Sequence, residues 1–295
     1  MKICITGITG LVGKALTTAL KEQGHEVRGL SRKANRENNI YAWNVENQTI
    51  DETVFDDLDG IVHLAGDNVA SGRWDENKKK SIYDSRVKGT EFLVSQVNAL
   101  ENPLKFFIST SAIGIYGNKA AEPCVEMASH GDDFLAKVCI DWEKMTEPLQ
   151  NTSVRLVIAR IGVVVALEGG ALHKMLTPFK LGLGGRVGDG QQIMSWIALD
   201  ELVSMFLFLI ENEVEGPFNM VSQAPVNNAE FTKTLANKLN RPAFIHMPTW
   251  LVKIIFGEMG EMLLLSTTNV EPKNLREAGF RFKYSNLKEV MDRLL

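Results

Sequence analysis

Apolar positions along this chain alternate between short runs and spaced stripes. Residues 1–7, Met-Lys-Ile-Cys-Ile-Thr-Gly, are apolar and rich in β-branched side chains, and predict a buried strand that stops at glycine. Over 11–23, Val12, Leu16 and Leu20 recur every four residues with Ala15 and Ala19 beside them. That spacing marks one helix face, and Gly24 stands where a C-terminal cap belongs. Further strands are predicted over 26–31, 59–65 and 105–111. A helix over 77–100 carries Val87, Phe92, Leu93 and Val97. Another over 133–149 rests on Phe134, Leu135, Val138, Trp142 and Met145, with Asp132 as its expected N-cap and Pro148 at its end. The β-branched stretch 154–165 reads as one buried strand.

Strands alternating with helices imply an α/β fold, a parallel sheet covered on both faces. After Val165 the alternation weakens, and glycines with Pro217, Pro225, Pro242 and Pro248 punctuate shorter elements. The expected organisation is a domain over 1–165 and a smaller one over 166–295, with a segment near 195–220 returning to the sheet. The 295 residues are 45% hydrophobic and 23% charged, which excludes disorder. A net charge of −4 argues against a nucleic-acid partner. No apolar run approaches the roughly 18 residues of a membrane helix, and Gly7 and Gly10 interrupt any secretion signal. Cys4, Cys124 and Cys139 form no CxxC pair, and the five histidines show no HExxH or HxxxH spacing. No disulfide framework or metal site is expected, and a reducing cytoplasm fits.

Chemistry concentrates after the first strand. Gly7, Gly10 and Gly13 form G-x-x-G-x-x-G, with Leu11 and Val12 opening the helix between the last two. Glycine permits positive φ and lets backbone approach a pyrophosphate, while the helix N-terminus offers free N–H groups to phosphate. Strand, turn and helix in this order predict dinucleotide binding on a Rossmann-type doubly wound sheet. The second strand ends in Ser31-Arg32-Lys33, with no acidic residue to accept from a ribose 2′-hydroxyl. A hydroxyl and two cations suit a 2′-phosphate, so NADP is expected rather than NAD. Leu64, Ala65 and Gly66 close the next strand with room for the adenine ribose and pyrophosphate.

The chain resembles, over essentially its whole length, the extended short-chain dehydrogenase/reductase superfamily of epimerases and dehydratases. Within it the match is to an atypical epimerase-like branch sometimes labelled cell-division-inhibitor-like. The residues that carry the resemblance are Thr6 to Gly13, Leu64 to Asn68, Arg73-Trp74, Ser85 to Thr90, Ile108 to Gly117, Asp133 to Ala136 with Trp142-Glu143, Pro178 to Gly185, and Ser195 to Ile197. The tail from Leu275 to Leu295 resembles that branch's C-terminal domain. The superfamily implies a Tyr-x-x-x-Lys pair on the helix after the serine strand, the Tyr as general acid/base and the Lys lowering its pKa. Here Leu135 and Cys139 stand in those slots, and the only such spacing, Tyr284 to Lys288, lies in the tail.

The serine strand is retained in Ser109, Thr110 and Ser111. Ser111 is the candidate catalytic hydroxyl, against a strand-end hydroxyl that caps backbone. Tyr116 is the candidate proton donor, against core packing. Arg86 replaces a structural Asn and is expected to reach a cofactor phosphate or to form an ion pair. Ser109 and Val164 complete the expected cofactor contacts. Cys139 reads as a buried inert thiol. Ser195 and Trp196 are expected to line the cleft. A second glycine cluster, Gly182 to Gly190 with Arg186 inside it, is either a loop that closes on a phosphorylated substrate or a plain turn. Two functions remain open: an NADP(H)-dependent oxidoreductase or epimerase-like enzyme on a small carbonyl or hydroxyl substrate, nucleotide sugars included, and a non-catalytic NADP(H)-binding regulator. Extended relatives often dimerise, and a homodimer stands here by analogy alone.

Overall fold

The structure, a computed structural model, describes residues 1–295, with side chains at every position except 120 and 121. The strands are β1 (Lys2–Thr6), β2 (Glu26–Ser31), β3 (Ile40–Asn44), β4 (Thr49–Ile50), β5 (Gly60–His63), β6 (Phe106–Ala112), β7 (Lys119–Cys124), β8 (Arg155–Ile161), β9 (Val163–Val165), β10 (Ile193–Met194), β11 (Trp196–Ala198), β12 (Gly216–Met220), β13 (Val226–Asn227) and β14 (Thr268–Val270). The helices are α1 (Leu11–Glu22), α2 (Glu76–Asn98), α3 (Phe134–Lys144), α4 (Gly170–Lys180), α5 (Leu199–Glu211), α6 (Asn228–Leu239), α7 (Thr249–Gly260), α8 (Lys273–Glu277) and α9 (Leu287–Leu294).

Eight strands form one sheet in the order β12-β8-β6-β5-β1-β2-β3-β4, parallel except for the β3–β4 edge. Ile3, Cys4 and Ile5 are all fully buried, because both faces of this sheet are covered. On one face, Leu16 and Leu20 of α1 meet Met205, Phe206 and Leu209 of α5. On the other, Phe92, Leu93 and Val97 of α2 meet Leu149 and Val154. Burying each such side chain contributes about 2 kcal/mol. The strand order reverses direction between β1 and β5, and the crevice beyond their carboxyl ends is where ligands bind in such sheets.

The predicted strand over 154–165 is two strands. A Cβ at Gly162 would lie 2.6 Å from the Ser195 carbonyl oxygen, so only glycine lets β9 leave the main sheet and pair with β11. The predicted helix over 133–149 is α3 followed by a 3-10 turn, Glu147–Leu149, around Pro148. Its N-cap is Asp133, not Asp132: the Asp133 carboxylate accepts from the Ala136 amide at 2.9 Å. The chain rejoins the main sheet at β12, which pairs with β8. A four-stranded sheet, β13-β10-β14-β7, and a cluster of Trp196, Phe231, Leu235 and Leu287 form the second packed region.

Among the described residues, no helix is long and apolar enough to cross a membrane.

Candidate functional site

The glycine turn carries the tightest backbone packing at the carboxyl end of β1. Gly7 has φ +67°, and a Cβ there would lie 3.1 Å from the Leu64 carbonyl group and the Ala65 amide nitrogen. A Cβ on Gly13 would lie 2.4 Å from the Gly7 carbonyl oxygen. Gly10 precedes α1 without a side-chain cap, and no acidic residue stands in the first turn. The amides of Leu11, Val12 and Gly13 therefore face outward with no intrahelical acceptor. The Leu11 side chain packs where Gly169 leaves space. Arg32, just past β2, is exposed and forms no ion pair among the described residues.

A buried relay sets the Leu64-Ala65-Gly66 turn. The Thr6 hydroxyl accepts from the amides of Leu64 and Ala65, each at 3.0 Å, and donates to His63 Nδ1 at 2.7 Å. His63 Nε2 then donates to the Thr90 hydroxyl at 2.9 Å, which also accepts from Trp142 Nε1 at 2.7 Å. Burial pushes the His63 pKa down to about 3. Between about pH 3 and the ordinary histidine range, the unfolded chain binds a proton that the native relay refuses. Stability therefore falls as pH drops through that window, by up to about 1.4 kcal/mol per pH unit. Thermal melts between pH 7 and pH 5 should show this slope, and His63→Gln should flatten it.

Arg86 reaches the same corner from α2. Its guanidinium lies 5.2 Å over the Trp142 ring and about where a Cβ on Gly66 would meet it, at 3.1 Å. Its Nη1 donates to the Ile82 carbonyl at 3.1 Å, and no carboxylate pairs with it among the described residues. Burial lowers its pKa. Cys139 lies within reach of both Arg86 and Ser111, and burial pushes its thiol up to about 12. A neutral thiol thus occupies the slot of the superfamily's lysine, with a guanidinium from another helix beside it. Leu135 packs on the turn after β6 through Gly114.

Ser111 is buried at the end of β6 with the Cys139 thiol beside it, and its hydroxyl makes no well-formed hydrogen bond among the described residues. Ser109 is also buried, its hydroxyl only 3.5 Å from the Thr110 carbonyl. Val164 pairs with Ile197, and its carbonyl lies against Gly170 at the start of α4.

Tyr116 is fully buried. Its hydroxyl donates to Asn219 Oδ1 at 2.7 Å and accepts from Arg160 Nη1 at 2.9 Å. Burial pushes its pKa up to about 12. A phenol so held has its proton committed to Asn219, while the residue itself stands on the wall of a polar cleft. Arg160 also forks onto Glu143 at 2.9 and 2.8 Å and donates to the Glu126 carbonyl at 2.7 Å. Burial works against the Arg160 charge, and the bonds to Glu143 more than offset it, raising its pKa. Glu126 Oε1 accepts from the amides of Asn219 and Asn274. Sequence reasoning missed this network, although Arg160 in the middle of a β-branched run was its signal.

Ser195 and Trp196 are not in the cleft. Both are buried; the serine hydroxyl joins the Thr268 carbonyl and Val270 amide, and the indole donates to Ala224. An open polar cleft of about 680 Å³ lies instead between the loop around His130 and α7, with Lys119, Asp132, Lys253 and Glu261 on its walls. Helix α7 is tied to α2 by Lys79–Glu258 at 2.7 Å and to the loop before α2 by Arg73 against Gly257, where φ is +60°.

These features define a dinucleotide-binding fold of the epimerase type. A model of the NAD dependent epimerase/dehydratase family matches residues 3–221, and a domain of unknown function, DUF1731, matches residues 247–294. The chain belongs to the NAD dependent epimerase/dehydratase family, as its motifs led one to expect. The epimerase family protein MT2273 of Mycobacterium tuberculosis is 38% identical over 290 residues, covering 98% of this chain and 96% of its own. The crystal structure of human epimerase family protein SDR39U1 (isoform 2) with NADPH matches with a TM-score of 0.91 at 31% identity, over 100% of this chain and 99% of that one. A nucleoside-diphosphate sugar epimerase from Corynebacterium glutamicum matches with a TM-score of 0.83 at 32% identity; this chain spans 58% of that one.

Proposed function

We propose that this chain is an NADP(H)-dependent oxidoreductase or epimerase-like enzyme acting on a small carbonyl or hydroxyl substrate. The observation that carries it is the glycine cradle with its uncapped helix. A Cβ at Gly7 would press on the Leu64–Ala65 backbone and one at Gly13 on the Gly7–Ile8 backbone, so glycine alone lets the start of α1 pack where its free amides can meet a pyrophosphate. The human relative crystallised with NADPH supports the cofactor. Arg32 suits the 2′-phosphate, and the turn of Leu64 to Gly66 gives the dinucleotide room. When bound, NADPH supplies hydride chemistry.

The protein's own part is binding, orientation and charge. Arg86 holds an unpaired cation beside the slot that the superfamily gives to lysine. The Ser111 hydroxyl, buried without a well-formed hydrogen bond, donates to the substrate oxygen, which an unsatisfied donor favours strongly. The proton comes from water in the open polar cleft, because the Tyr116 hydroxyl on its wall is already committed to Asn219 and Arg160. In this reading residues 1–165 hold the cofactor and residues 166–295 wall the substrate side.

A second reading, a non-catalytic NADPH-binding regulator, is favoured by Leu135 and by the neutral Cys139. One experiment separates them. NADPH should bind at least about tenfold more tightly than NADH, and Arg32→Ala should erase that preference. With a panel of carbonyl and nucleotide-sugar substrates, Ser111→Ala should lower turnover at least about tenfold with NADPH affinity unchanged; one lost charge-assisted or buried hydrogen bond is worth this much. Tight NADPH binding with no turnover on any substrate supports the regulator. Absence of NADPH binding refutes both.

A further inference from the structure

We propose that the second glycine cluster builds one wall of an anion site, distinct from the glycine turn, that takes a small organic phosphate. The glycines are there for close packing. A Cβ on Gly185 would lie 1.4 Å from the Ile245 carbonyl oxygen, and one on Gly184 would lie 2.6 Å from the Phe179 ring. The loop is pinned further by Val187 to Asn228 Oδ1 at 2.8 Å, Gly188 to the Met247 carbonyl at 2.9 Å, and Met247 to the Arg186 carbonyl at 3.0 Å. Such a loop does not swing; it presents Arg186 from a fixed backbone.

Arg186 faces a pocket of about 540 Å³ between α6 and the segment 241–246. Lys233, Arg241 and His246 share it, and no carboxylate lines it. Arg186, Lys233 and Arg241 form no ion pair among the described residues. The chain as a whole carries a net charge of −4, so three cations converging without a counter-charge, with His246 beside them on the Gly188 carbonyl, is a local feature. Arg241 is oriented by its Nε, which donates to the Lys180 carbonyl at 3.0 Å and leaves its two Nη groups for a fork.

A second observation points to a ligand. Thr232 is buried in this wall, and its hydroxyl has no hydrogen-bond partner. The remaining lining is mostly alanine and proline carbon, with Phe244 82% exposed at the rim. Clustered cations concentrate an anion, and the apolar part favours an organic body on it.

The site stands independently of the cofactor reading, and its test is built to keep the two apart. A hexose phosphate, inorganic phosphate and the free hexose are titrated calorimetrically in chloride buffer, with and without saturating NADPH. The hexose phosphate should bind saturably in both conditions, more tightly than inorganic phosphate, and weaken at high salt. The exposed double variant Arg186→Ala/Lys233→Ala should weaken it at least tenfold with Tm and NADPH affinity unchanged, and Lys233→Glu alone should do the same. Arg32→Ala should leave it untouched. The proposal is overturned if no phosphate binds saturably, if the double variant binds like the parent, or if Arg32→Ala abolishes binding. Equal binding of the free hexose overturns the phosphate assignment.

Discussion

Gly13→Val is expected to weaken NADPH binding by at least about 100-fold, roughly 2.7 kcal/mol. The first added carbon would fall 2.4 Å from the Gly7 carbonyl oxygen and 2.8 Å from Ile8 Cα, both backbone atoms that cannot rotate away. The first turn of α1 must then lift off the end of β1, and the amides of residues 11–13 leave the place where phosphate would sit. Overpacking of this kind also costs about 1–3 kcal/mol of stability. Gly10→Ala is the internal control, since its Cβ would meet only the Gly7 carbonyl, at 3.1 Å. Cofactor titration alongside thermal melts checks both, and a near-parental affinity in Gly13→Val would refute the cradle.

Glu143→Ala should cost about 3–5 kcal/mol, the range for removing one partner of a buried pair. The Arg160 side chain is 5% exposed and that of Glu143 16%, so water cannot replace the lost carboxylate. At this chain length the loss corresponds to a fall of roughly 5–8 °C in Tm. The effect should spread, because Arg160 also holds Tyr116 and the Glu126 carbonyl. Replacing both partners by Leu should be milder than the single change, since an apolar pair leaves no stranded charge. A double variant as unstable as Glu143→Ala would show that the network contributes through Tyr116 and Glu126 more than through the ion pair.

The local chemistry of the first half was legible because its residues act near where they stand in the chain. Three glycines between an apolar run and a four-residue stripe define the turn by themselves, and Gly24 ends α1 at φ +80°. What escaped the sequence depends on partners far along the chain. Asn219 meets Tyr116, and Ser195 is buried through Thr268 and Val270. Both look like cleft residues until the tail packs over them. The β3–β4 edge was missed because Tyr41 and Trp43 sit among polar residues with no long apolar run. The second glycine cluster stayed open between two readings for a related reason: its glycines answer to Ile245 and Phe179, and Ile245 lies about 60 residues downstream.

The late arrival of β12 has a consequence for how this protein is made. A nascent chain that has emerged only as far as residue 165 lacks α5, which covers Leu16 and Leu20, and the strand that completes the β8 edge. At about 5–20 residues per second, several seconds of translation separate residue 165 from residue 220. During that interval an apolar helix face and an open strand edge are exposed together, which is the surface a ribosome-associated holdase would shield.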